Sequence, residues 1–322
     1  MNALLKTKWL LGRVLALMLV VAVAVTCMVS VGAATDTTES TLPAGNWTLL
    51  EAASDEFNGT QLDESKWNNG IWYDVSTDLA FKEDNVTVQD GNLVITAKKE
   101  AYNDKEYTIG AVESKFDIPG ATSYVEVRAK VLDSKANVLS AIWMQSSPLT
   151  EENNPNPEID IMESFKYDRI QSTLHTWSET DTLGEVHLQT GVNYWNTPCD
   201  DISETFHTYG LERADGKLRF YFDGELMWET KSLVENDAFV NQARHLVLSL
   251  EGHNGTPVDE YLPSDYLIDY VRTYVAAEDA PVDTSADDTQ ADASADDTTA
   301  GTSTSGLYFE AYWNDNKVGL YF

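Results

Sequence analysis

The chain has 322 residues, 43% hydrophobic and 11% aromatic, enough for one large domain with a substantial core and extensions. Its formal charge is −32, from 53 acids against 21 Lys and Arg. Such a field argues against nucleic acid and anionic membrane as partners, and mildly against a highly sulfated polymer, although local charge in a cleft can oppose the global field.

Residues 1–33 carry Lys6, Lys8 and Arg13, then an apolar run over 14–25, then the small residues Val31-Gly32-Ala33-Ala34. That order predicts a secretory signal peptide cut after Ala33 or Ala34, and so a secreted protein with no membrane partner once processed. The alternative is an uncleaved membrane anchor, since apolar character persists to Ala34. Removing the segment leaves a charge near −35 and a single cysteine, Cys199. A monomer without an internal disulfide is expected, with Cys199 as a packed structural thiol.

Residues 34–44 read as a short spacer rich in Thr and Ser. From 45 to 275 the chain runs in short alternating or apolar stretches, among them 92–97, 123–131, 138–144, 217–222, 245–250 and 266–275. Asp90-Gly91, Asp215-Gly216 and Asp223-Gly224 are hairpin-turn signals. No long helical periodicity survives beyond the signal peptide, so the class is an all-β sandwich. Residues 276–306 hold eight acids and no Lys or Arg, and Asp-Asp-Thr recurs at 287–289 and 296–298. This composition predicts a disordered acidic linker. Residues 307–322 form an aromatic tail that reads either as the start of a further module or as a strand docking elsewhere.

Within the domain, Glu158-Ile159-Asp160-Ile161-Met162-Glu163 places three carboxylates among large apolar residues. Carboxylates are rarely buried without a partner or a task. Strand alternation puts Glu158 and Asp160 on one face, and a β-bulge adding one residue brings Glu163 to that face. The two glutamates then lie roughly 13 Å apart along the backbone, and inward-leaning side chains close the gap to about 5 Å, the separation of a pair that cleaves a glycosidic bond with retention. One must be ionised to attack the anomeric carbon, and the other must hold a proton for the leaving oxygen. The expected roles are Glu158 as nucleophile, Glu163 as general acid/base and Asp160 as the assisting residue that separates their pKa values, without metal or cofactor.

The pattern Glu158-x-Asp160-x-x-Glu163 resembles the active-site strand of glycoside hydrolase family 16, in its bulged laminarinase, agarase and porphyranase branches. The resemblance runs over roughly 45–275, through Ser54-Asp55-Glu56-Phe57, residues 90–95, residues 140–145, residues 173–177, residues 206–212, residues 220–224 and residues 268–274. It implies a β-jelly roll of the concanavalin A-like kind with a concave sheet carrying the cleft. The implied activity is endo-acting hydrolysis of a polysaccharide, expected to be a neutral β-1,3- or β-1,3/1,4-glucan. A galactan of the agarose or porphyran type and a non-catalytic glycan-binding protein are the alternatives.

The same resemblance implies substrate contacts from Trp143, Trp72 and Trp177, whose rings suit the apolar faces of sugars, and from Glu251. It implies that His175 bonds Glu163 or the substrate. Trp228 reads as structural, and Trp195 is expected in a loop from which it could line the cleft, with no assigned role. Many family members hold a structural calcium, and the matching positions are Glu56, the carbonyl of Gly91 and Asp269. Residues 154–157, the late segment 248–255 and Arg213 depart from the laminarinase pattern, which leaves the choice of polysaccharide open.

Overall fold

The computed structural model describes residues 42–73, 78–145, 156–180, 186–231, 238–252 and 255–277, without the side chains at 156–157, 176–180 and 186–193. The expected signal peptide, almost all of the acidic linker, the aromatic tail and the Trp177 indole lie outside the described atoms. No described helix is long and apolar enough to cross a membrane.

In chain order the strands are β1 (Trp47–Leu49), β2 (Trp67–Asn69), β3 (Leu79–Phe81), β4 (Val86–Gln89), β5 (Asn92–Ala97) and β6 (Tyr107–Ile109). Next come β7 (Ala111–Ile118), β8 (Ser123–Lys130), β9 (Leu139–Gln145), β10 (Asn156–Lys166), β11 (Arg169–Thr180) and β12 (Val186–Asn196). The last are β13 (His207–Ala214), β14 (Lys217–Phe222), β15 (Glu225–Glu229), β16 (Arg244–Glu251) and β17 (Ser264–Ala276). One antiparallel sheet runs β15-β14-β13-β8-β17-β5-β4, with β1 added on β17, and the other runs β12-β11-β10-β9-β16-β7-β2. Together they make the all-β, jelly-roll-like sandwich expected of the sequence.

The three Asp-Gly pairs close the β4–β5, β13–β14 and β14–β15 hairpins. Both residues of each are left-handed, with φ of 53° and 75°, 53° and 66°, and 48° and 78°, the geometry of a type I′ turn that matches strand twist. The inner faces interdigitate through Leu93, Ile95, Val127 and Phe220 on one sheet and Ile142, Met144, Ile159 and Leu246 on the other. Trp228 belongs to this packing, stacked on Phe220 at 4.4 Å and on Tyr194 at 5.2 Å.

Arg213, a departure from the family pattern, is 1% exposed and ties segments together through backbone carbonyls. It donates to Gln242 O at 2.7 Å, to Ile118 O at 2.9 Å and to Pro119 O. On the outer face of the eight-stranded sheet two carboxylates are buried under full sets of donors. Glu126 accepts from the Tyr124 and Tyr270 hydroxyls, both at 2.8 Å. Glu212 accepts from the Tyr221 hydroxyl at 2.6 Å and from Arg219 at 3.0 Å.

Candidate active site

β10 carries the carboxylate trio and is paired on both sides, so its register is over-determined. Against β9, Asp160 faces Trp143 and Met162 faces Ile142, which leaves Ile161 as the extra residue. Against β11, Glu158 faces His175, Asp160 faces Thr173 and Glu163 faces Gln171, with the same one-residue shift. The bulge therefore turns both Ile161 and Met162 into the core, at 2% and 0% exposure. It returns Glu163 to the face of Glu158 and Asp160, because partners across a ladder share a face.

The trio is buried unevenly. Asp160 is 4% exposed, while Glu158 and Glu163 are half-buried. Gln145 Nε2 donates to Glu158 Oε2 at 2.7 Å, and the Thr173 hydroxyl donates to Glu163 Oε2 at 3.2 Å. His175 Nε2 stands 3.0 Å from Asp160 Oδ2, and its charge also acts on Glu163. That approach is off the hydrogen-bond line, so Asp160 Oδ2 is buried without a directed donor. The contact is electrostatic.

Burial pushes the Asp160 carboxyl well above the usual range, with the Glu251 charge adding to it. Burial, then the charge of Asp160, raises Glu163 to about 9, against smaller opposing pulls from His175 and the Thr173 hydroxyl. A carboxyl that keeps its proton at neutral pH is what a general acid requires. Glu158, Asp160 and His175 each offer a ligand atom within 4.8 Å of the others, a cluster that could hold a metal ion.

Beyond β9 the same face becomes aromatic. Trp143, Ala141 and Val247 form a second apolar cluster with Ile71 and Trp72. The Trp72 ring lies 5.5 Å from Trp143 and edge-on to His245 at 5.2 Å. Trp143 Nε1 donates to Ser249 Oγ at 3.0 Å, and the Tyr73 hydroxyl donates to Glu251 Oε1 at 2.8 Å. Glu251 is 4% exposed; burial raises it to about 7, partly offset by hydrogen bonds from Ser249 and Tyr73. His245, buried beside Trp72, is held down at about 4 by burial and by Arg244.

The structure thus gathers Glu158, Asp160, Glu163, His175, Trp143 and Trp72 on one face of one sheet. The backbone of Trp177 pairs with Asn156 and Leu188. Trp195 is not in a loop: it lies on β12 opposite Gln171, on the trio's face, and is 45% exposed. Gln145, Thr173, Tyr73 and Ser249 contribute without having been singled out as site residues, although Gln145, Thr173 and Ser249 lie in stretches compared with the family. Period two was the available signal, since Gln145 lies two residues past Trp143 and Thr173 two before His175.

The expected calcium positions are engaged otherwise. Arg272 forks onto Glu56 at 2.7 and 2.9 Å, and Arg128 pairs with Asp269 at 2.5 Å. A cation at these carboxylates must first displace two guanidinium groups, which fits calcium poorly.

A family profile described as Beta-porphyranase A-D, GH16 domain, matches residues 47–276. The chain is similar to the kappa-carrageenase of Pseudoalteromonas carrageenovora, 28% identical over 72% of this chain and 66% of that one. It is also similar to the clotting factor G alpha subunit of Tachypleus tridentatus, 30% identical over 72% of this chain and 35% of that one. The beta-glucanase of Rhodothermus marinus is 28% identical over 72% and 86%. The chain thus spans less than two thirds of the length of the first two of these relatives. Among solved structures, the kappa-carrageenase of P. carrageenovora in complex with an oligotetrasaccharide superposes with a TM-score of 0.57 at 25% identity, covering 73% of this chain and 97% of that one.

Proposed function

Because the chain belongs to glycoside hydrolase family 16, by its match to the Beta-porphyranase A-D domain, we propose that it is a secreted, endo-acting glycan hydrolase that retains anomeric configuration. The observation that carries this reading is the bulge at Ile161, which aligns Glu158, Asp160 and Glu163 on one face of a doubly paired strand. In the proposed reaction Glu158, oriented by Gln145, attacks the anomeric carbon and forms an ester as the C1–O bond breaks. The leaving oxygen takes the proton from Glu163. Glu163 then removes a proton from water, which attacks the same carbon and releases Glu158. Asp160, between the two glutamates with its carboxyl pKa raised by burial and by the Glu251 charge, is the assisting residue. The trio supplies the whole reaction, and the fold implies no catalytic cofactor. Trp143 and Trp72 are proposed as the wall on which sugar faces stack.

The proposed substrate is a galactan. The family profile supports this, as does the late segment around Glu251, which resembles agarase-like enzymes more than laminarinases. A β-glucan is the second reading, favoured by the similarity to the R. marinus beta-glucanase. Incubating the protein with laminarin, lichenan, agarose, porphyran and carrageenan, with product chromatography, tests both. Oligosaccharides from a galactan are expected; products from laminarin or lichenan alone would select the glucan reading, and none from any polymer would overturn the enzyme.

A further inference from the structure

Cys199 lies between β12 and β13, half-buried against the core, and is the only cysteine among the described residues. Its Sγ stands 4.0 Å from His207 Nε2, and His207 Nδ1 stands 2.7 Å from Asp223 Oδ2. With Nδ1–H donating to the carboxylate, the Nε2 lone pair faces the thiol, an order of nucleophile, base and orienting acid. The carboxylate is itself fixed. Asp223 Oδ1 accepts from Thr208 N, and Asp223 N donates to Thr208 O, both at 2.9 Å. Phe222 packs on the imidazole at 4.7 Å. Tyr209, two residues along β13 and on the same inward face as His207, is 1% exposed, and its hydroxyl has no hydrogen-bond partner. Burial, then the charges of Tyr266, Asp223 and Cys199, hold that hydroxyl protonated. It is a buried donor beside the sulfur that lacks an acceptor.

We propose that Cys199, His207, Asp223 and Tyr209 form a second reactive centre, in which a hydroperoxide oxidises the thiol to a sulfenic acid. The sulfur attacks one peroxide oxygen, and the S–O bond forms as the O–O bond breaks. The thiol proton passes to His207 Nε2 and from there to the departing oxygen, which leaves as water when the oxidant is hydrogen peroxide. Sulfur loses two electrons and the peroxide gains them. The oxygen added to sulfur is the acceptor that the Tyr209 hydroxyl lacks. Burial raises the Cys199 thiol, a backbone hydrogen bond from Asp201 opposes the rise, and the charges of Asp223, Asp201 and Asp200 add to it. The thiol therefore keeps its proton at neutral pH, and His207 must take it during the attack. A sulfur packed against the core suits a small oxidant better than a bulky acyl group. With no second cysteine among the described residues, the sulfenic acid waits for an external thiol, which condenses with it and releases water. A further external thiol then displaces Cys199 from the mixed disulfide and restores it.

This inference is independent of the glycanase reading and is tested without a glycan. The protein is exposed to hydrogen peroxide, quenched with catalase at intervals, unfolded and titrated for remaining thiol, with Cys199→Ser as the baseline. The native protein should lose its thiol at least about tenfold faster than the same chain unfolded in urea at the same pH. A native rate equal to or below the unfolded one overturns the centre and leaves a packed thiol. Asp223→Asn is the cleanest variant, because Asn suits the left-handed backbone at this turn, where φ is 48°, and still accepts from Thr208 N. It should slow oxidation at least about tenfold at neutral pH with an unchanged melting profile, since the imidazole then presents the wrong tautomer. The deficit should close at alkaline pH, where the thiol ionises without a base. An unchanged rate, or a deficit that persists at every pH, overturns the base. Tyr209→Phe should let excess peroxide carry Cys199 on to the sulfinic acid at least about threefold faster, read by peptide mass spectrometry. Over-oxidation at the parent's rate would show that the hydroxyl does not hold the added oxygen.

Discussion

The two sheets bury carboxylates to the same depth and treat them in opposite ways. On the outer face of the eight-stranded sheet, Glu126 and Glu212 are 0% and 7% exposed, and each meets at least two donors. On the cleft face of the other sheet, Asp160 and Glu251 are 4% exposed, and Asp160 Oδ2 has no directed donor. The first pair is a structural network in which donors satisfy each oxygen. In the second set Asp160 Oδ2 lacks a directed donor; burial raises Asp160, Glu163 and Glu251, and like charge adds to the rise at Asp160 and Glu163. Burial alone does not mark chemistry; a raised carboxyl pKa beside an unmet acceptor does.

Mutation can break this contrast from either side. Glu158→Gln should lower kcat by at least about 10³-fold, roughly 4 kcal/mol of barrier, with an unchanged melting profile; near-normal turnover would remove Glu158 from the mechanism. On the outer face, Gly210 packs so closely on Tyr124 that a Cβ there would land on the phenol. Gly210→Ala should cost about 1–3 kcal/mol in urea denaturation, with kcat per folded molecule unchanged. Loss of kcat with unaltered stability would mean that the two faces are not separable.

A third comparison uses pH. Glu163 has a folded pKa of about 9 against an ordinary value near 4.5, so between those values the native state binds more protons than the unfolded chain. Its contribution to stability is therefore lost as pH rises through that window. Glu163→Gln removes the titration, so the melting temperature of the variant minus that of the parent should grow from about pH 5 to about pH 9. A gap that is flat or shrinking would show that Glu163 ionises freely in the fold. The smallest effect is expected from calcium: with Glu56 and Asp269 held by Arg272 and Arg128, added calcium or chelator should move the melting temperature by less than about 1 °C. A rise of several degrees would show that the arginines yield to the ion.

The catalytic strand was legible because its message is one of parity. Alternation fixes which residues share a face, and Glu158, Asp160 and Glu163 agree only if one residue is extra. The Asp-Gly hairpins were legible for a similar local reason, as their left-handed φ angles suit few other residues. The approach of His175 to Asp160 was not, because Asp160 and Glu163 lie on the same face and the distance depends on how side chains lean. Trp195 escaped because 186–196 mixes polar and apolar residues, and only its pairing with β11 reveals a strand. The arginines on Glu56 and Asp269 come from β17 and β8, 216 and 141 residues away from the carboxylates they hold. No local pattern announces them.

The bulge at Ile161 has a consequence for how this strand can change. In an ordinary strand, losing one residue inverts every side chain downstream, turning core to solvent and solvent to core. Here the partners on both sides already skip one position, so deleting Ile161 leaves Glu158, Asp160 and the displaced glutamate in phase with β9 and β11. The most chemically constrained strand of the molecule is therefore also the place where its reading frame is most forgiving: it can be shortened by one residue without moving any of its three acids off the cleft.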